Sequence, residues 1–198
     1  MNQGQQKKVN SGNAFAGFFI RHPYAVRIAL TLLFFAILSA LLLAGFTTPV
    51  SMEEARATVE KLKPLFESII KQGDLEGTAW NTFIHNSVMT LIANTPILGF
   101  PLMMFSAYQT GLTAKMLIMV SGENIGFNQL YFKPHTLLEL LAYSLAAAES
   151  AYLTPFIMRR NSEEKISLAP TIAVIILEFS LLWMAAIVES NLIIKGRI

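Results

Sequence analysis

The sequence contains no cysteine. That absence excludes disulfides, thiolate metal sites and a cysteine nucleophile, while leaving the compartment open. Charge is scarce as well: Asp, Glu, Lys and Arg make up 14% of the 198 residues, where a soluble domain carries about 25%. The net charge is +2, so no bulk polyelectrolyte partner is implied. No Lys/Arg-rich block with interleaved aromatics occurs, which argues against nucleic-acid binding. There is no G-x-S-x-G, no H-E-x-x-H and no phosphate-binding glycine loop, so hydrolase, zinc-peptidase and nucleotide chemistry find no motif to stand on. No internal repeat is visible.

What fills the chain instead is apolar sequence, 54% by residue, arranged in runs long enough to cross a bilayer at about 1.5 Å per residue. The pattern predicts an all-α, polytopic membrane helix bundle of about five spans plus an extramembrane amphipathic helix. Residues 1–23 read as a polar tail followed by an interfacial segment (Phe15, Phe18, Phe19, Ile20), and 24–198 as a single membrane domain. Tyr24–Phe46 is the first span. It is too long for a signal-peptide core and lacks a small-x-small cleavage site, so it reads as uncleaved. Arg27, near its start, is expected to snorkel to the interface.

The insert 51–72 is amphipathic. Ser51 and Glu54 form a capping-box pattern, apolar residues recur at helical spacing, Pro64 should kink or divide the helix, and Gly73 and Gly77 should end it. Spans at 79–95 and 96–120 follow, interrupted near Asn94 to Gly99, with polar residues on both: Asn81, His85, Asn86 and Asn94 on the first, Gln109 and Lys115 on the second. They are expected to be tightly connected helices with polar inner faces, or a broken, re-entrant pair. A turn-rich loop at 121–133 precedes the most informative stretch, Lys133–Arg160. There Pro134 starts a helix, and His135, Glu139, Ala142, Ala146 and Glu149 fall on one stripe. Leu168–Ile194 is the last span, with Glu178 deep inside it and Glu189 close enough to its end to reach water.

Ionisable groups inside a membrane segment are costly and face protein or a water-filled cavity. His85, Asn86, Lys115, His135, Glu139, Glu149 and Glu178 are therefore the candidate polar cluster, structural or ion-handling, with Lys115 the expected partner of a carboxylate. His135 and Glu139, at i and i+4, would hydrogen-bond and pin the helix start. They would hold a metal only with a third ligand from His85, Glu149 or Glu178. No cofactor is implied. Basic residues at the N-terminus (Lys7, Lys8, Arg21, Arg27) and at Arg159, Arg160 and Lys165 fall on one side of a five-span count. The positive-inside rule then places the N-terminus in the cytoplasm and the chain in the cell membrane.

The order of a polar helix with Asn86, a turn at Gly99, a helix with Gly111 near its end, and then Pro134, His135 and Glu139 as P-H-x-x-x-E resembles the stage II sporulation protein M family of integral membrane proteins. The likeness covers roughly 80–155. Thr136 stands where that family has Gly, and Gln109-Thr110-Gly111 where it has an Asn-Gly pair. The resemblance implies a membrane component of a multi-protein assembly. Gly99, Gly111 and Pro134 would be its packing and turn positions. Two functions stay open on the sequence. One is a non-enzymatic scaffold or complex subunit whose partners are the lipid bilayer and other membrane proteins or copies of itself. The other is a small transporter or channel using the intramembrane carboxylates for protons or cations.

Overall fold

The computed structural model describes residues 22–70, 74–158 and 168–194. The polar tail, Gly73, Arg159, Arg160, Lys165, Lys195 and Arg197 lie outside them. Seven helices account for nearly all of the described chain: α1 (Pro23–Thr47), α2 (Met52–Ile69), α3 (Leu75–Ala93), α4 (Gly99–Ser121), α5 (Phe127–Tyr131), α6 (Pro134–Met158) and α7 (Ala169–Ile194). Two of them, α1 and α7, are long and apolar enough to cross a membrane, against the five expected. The other three long core helices carry the polar residues: Thr and Asn along α3, Gln109 and Lys115 in α4, and His135, Glu139 and Glu149 in α6. Those side chains lower the average hydropathy of each segment.

Cross-helix contacts fix the direction of every core helix. Arg27 meets Glu149 while Ser39 meets Tyr131 just before α6, so α1 and α6 are antiparallel. Glu149 meets Thr171 and Glu139 lies within electrostatic range of Glu189, so α6 and α7 are antiparallel too. Asn86 meets Glu139 and the turn after α3 meets Ser150, so α3 runs with α6. Phe34 packs on Phe100, and Gly45 abuts Tyr108 and Leu112, so α4 runs with α1. Thus α1, α4 and α7 point one way and α3 and α6 the other. The short α5 leads into α6, and α2 lies against α3 and α4.

α1 and α4 cross with their backbones in close contact. A Cβ on Gly45 would sit 2.0 Å from the Tyr108 carbonyl oxygen, and one on Gly111 would sit 2.0 Å from the Leu42 carbonyl oxygen. The two glycines are reciprocal: each admits the other helix's backbone, the device that brings helices close where no side chain fits. The apolar core around them gathers Phe34, Leu38, Met103, Leu140 and the run Ala146–Ala148.

Several boundaries differ from expectation. Asp74 caps α3 by accepting from Gly77 N–H at 2.8 Å, so the helix starts four residues early and Gly77 sits in its first turn. Pro64 leaves α2 as one helix from Met52 to Ile69; it sits on the exposed side, where water can satisfy the carbonyl that loses its donor. The 121–133 loop contains the helical turn α5.

Candidate functional site: a polar column inside the bundle

The first layer of the column is built on Arg27. Its guanidinium grips Glu149 at two points, Nε to Oε2 at 2.7 Å and Nη2 to Oε1 at 2.8 Å. Thr171 donates to Glu149 Oε1 at 2.6 Å and accepts from Arg27 Nη2 at 3.2 Å. The Tyr152 ring lies under the guanidinium, 3.8 Å from its centre. A forked, charge-assisted pair with an aromatic face is the arrangement for which arginine is suited and lysine is not. Arg27 is 6% exposed and Glu149 1%. The expected snorkelling of Arg27 is corrected: a buried carboxylate on α6 draws the side chain inward and leaves it no path to the interface.

The second layer is the α3–α4 turn. Ser150 donates to Thr95 O at 2.7 Å and accepts from Phe100 N–H at 3.3 Å, while Thr154 accepts from Ile97 N–H at 2.8 Å. Two hydroxyls of α6 thus satisfy the irregular backbone between the helices, as non-helical backbone inside a bundle requires. Gly99 is obligatory here, since a Cβ would lie 1.8 Å from the Ala93 carbonyl oxygen. Ile97 has φ +73°, a left-handed conformation that costs a β-branched residue about 1–3 kcal/mol and that the surroundings must hold in place. Beside this turn Asn94 donates to Glu178 Oε2 at 2.6 Å. Glu178 is fully buried, and neither its Oε1 nor Asn94 Oδ1 has a hydrogen-bond partner among the described residues.

The third layer joins Asn86 of α3 to Glu139 of α6 at 2.7 Å. Glu189 and Tyr143 stand within electrostatic range. Glu189, expected near water, is half-buried here because α7 continues alongside the start of α6. Glu139 also borders a small groove of about 60 Å³ between α1, α4 and α6, lined with Leu38, Leu42, Met103, Ser106 and Thr136 among others.

The structure therefore joins Asn86 to Glu139 and, separately, brings Glu149 and Glu178 within electrostatic range of each other. The rest of the candidate set falls elsewhere. His85 is exposed. Lys115, expected to pair with a carboxylate, instead donates to the carbonyl of Thr48, the residue that ends α1; a cation suits the negative end of a helix. His135 is buried, but Glu139 turns to Asn86 and leaves His135 Nδ1 without a partner, so the expected His135–Glu139 hydrogen bond is absent. Among the described residues, no three His, Asp or Glu side chains gather as metal ligands, so the His135/Glu139 pair lacks a third. Thr171 and Ser150 belong to the column and carried no local signal that would have nominated them; Arg27, a charge inside the first span, carried one but reads from its position near the helix start as an interfacial cation.

No protein-family model, no curated protein and no solved structure matches the chain.

Proposed function

We propose that this chain is a non-enzymatic, multi-pass membrane protein in which α1, α3, α4, α6 and α7 cross the bilayer, and that it serves as a scaffold or subunit of a membrane complex. The observation that carries the reading is the parallel course of α1 and α7. Both are apolar enough to span, and their N-terminal ends meet at Arg27 and Thr171. If both cross, the intervening chain must return across the same thickness, and the alternating directions of α3, α4 and α6 supply that return.

The burial pattern supports the same conclusion. On α3 the inward stripe is Thr78, Thr82, Asn86 and Thr90, all buried, while Trp80, Ile84, Val88 and Leu91 face outward. A helix that hides its polar side and exposes its apolar side suits lipid rather than water. Exposed Ile28, Leu32 and Leu33 on α1 and Ile172, Ile176 and Met184 on α7 extend the apolar surface.

Within this reading the scaffold is favoured over the ion path because Glu139, Glu149 and Glu178 are each held by a partner on another helix. The likeness of residues 80–155 to the stage II sporulation protein M family points the same way, towards a component of an assembly. The test is purification of the full chain from its own membranes in mild detergent, followed by native mass spectrometry. A defined oligomer or a stable complex with other polypeptides is expected. A lone monomer that conducts protons or cations in proteoliposomes, and stops doing so as Glu139→Gln, would overturn the scaffold in favour of the transporter.

A further inference from the structure

We infer that Glu178 and Asn94 form a proton-binding site, in which Glu178 is held as the neutral carboxylic acid and closes a two-point acid–amide pair that latches the α3–α4 turn to α7. Three observations on the packed bundle lead to it, and none depends on the membrane reading.

The first is charge. Two carboxylates, Glu149 and Glu178, lie fully buried and within electrostatic range of each other, on α6 and α7. Among the described residues Arg27 is the cation that reaches this region, and its Nε and Nη2 are taken by Glu149 and Thr171. Lys115 is engaged at Thr48, at the far end of α1. From α3 and its turn, the group facing Glu178 is the uncharged Asn94. A second buried anion, with no cation on it among the described residues, would carry a desolvation penalty of several kcal/mol, which a proton removes.

The second is the hydrogen-bond arrangement. Asn94 Nδ2 donates to Glu178 Oε2, and the two oxygens left without a partner are the other atoms of the same two groups, Glu178 Oε1 and Asn94 Oδ1. Two acceptors on paired groups, with no donor between them, are completed by one hydrogen. A protonated Oε1 would donate to Oδ1 while Oε2 continues to accept from Nδ2. A metal ion would need a larger set of oxygens, and Thr95 O and Thr90 O nearby already accept hydrogen bonds.

The third is position. Asn94 is the residue that ends α3, three residues before the strained Ile97. The acid–amide pair is therefore the contact by which α7 holds the turn, while Ser150 and Thr154 hold it from α6.

The test is infrared spectroscopy of the full chain in detergent at neutral pH. The parent is expected to show a carboxylic-acid carbonyl band above the amide envelope that shifts in D2O. Glu178→Gln should lose one carboxyl's worth of that band yet keep the parent's melting temperature, because its amide reproduces both hydrogen bonds; Glu178→Ala should melt lower. If the Gln variant fails to fold, Asn94→Ala is read instead. The band should then move to higher frequency as the carbonyl loses its amide donor. A band of equal size in the parent and Glu178→Gln, or one that Asn94→Ala leaves unmoved, would overturn the site. So would a melting temperature that rises with Na⁺ but not with choline and is insensitive to Na⁺ in Glu178→Gln, which would make it a cation site.

Discussion

At the residue scale, the bundle depends on a few buried polar pairs whose members cannot be removed singly. Arg27→Ala or Glu149→Ala leaves an unpaired charge in the interior, and each is expected to cost about 3–5 kcal/mol in detergent unfolding. The double variant Arg27→Met/Glu149→Leu should recover much of that loss, because well-packed apolar side chains replace a buried ion pair at little cost. Equal stability of the Glu149→Ala variant and the parent would contradict the geometry. A second pair lies outside the core. The backbone N–H of Ser51 donates to Glu54 at 3.0 Å and the Ser51 hydroxyl at 2.9 Å, and these bonds hold the Glu54 carboxyl below its usual value. The cap is therefore fully present above the ordinary carboxylate range and is lost as pH falls through the depressed value. Amide exchange in the first turn of α2, corrected for its intrinsic rate, should accelerate across that acidic window, and Glu54→Gln should abolish the dependence. Residues of this kind differ in how legible they are. The capping box is local and could be read from four residues. Arg27 and Glu149 are 122 positions apart, and no periodicity connects them, so Arg27 read as an interfacial cation and Glu149 as a carboxylate in search of a partner.

At the scale of elements, helices were legible where apolar runs are long, and their ends were legible less often. The polar stripe of α6 and the break near Asn94–Gly99 could both be seen in the chain, since one follows from 100° spacing and the other from Pro and Gly. The start of α3 was missed because the Asp74 cap outweighs Gly77; of the two outcomes expected at Pro64, division does not occur, since α2 runs unbroken from Met52 to Ile69. The α1–α4 crossing shows what spacing alone leaves out. Gly111 was named through the family resemblance, whereas Gly45, its reciprocal partner, is named by the crossing alone. Gly111→Ala is expected to force the helices apart and cost about 1–3 kcal/mol. Gly45→Ala should act similarly, and the double variant should cost less than the sum because both relieve the same contact. Thermal unfolding in micelles reads all three, and strict additivity would argue against a shared crossing.

At the scale of the whole molecule, buried polar pairs are set into an apolar core and the outer faces are apolar as well, with three core helices running one way and two the other. That alternation makes sense of two apolar helices that lie parallel and three less apolar ones between them. Counting hydropathy helix by helix finds α1 and α7 alone, because α3, α4 and α6 carry polar residues that lower the average of each segment. The bundle itself was legible as an all-α, low-charge chain; the pairing of its carboxylates was not, since it depends on which helices become neighbours. The absence of cysteine makes the decisive measurement clean. Single cysteines at His22→Cys, Glu123→Cys and Leu168→Cys, all at exposed positions, are labelled with a membrane-impermeant maleimide from either side of sealed vesicles. Five crossings predict that positions 22 and 168 react from one side and position 123 from the other. Labelling of positions 123 and 168 from the same side, opposite to 22, would leave α1 and α7 as the spans and contradict the five-helix membrane bundle.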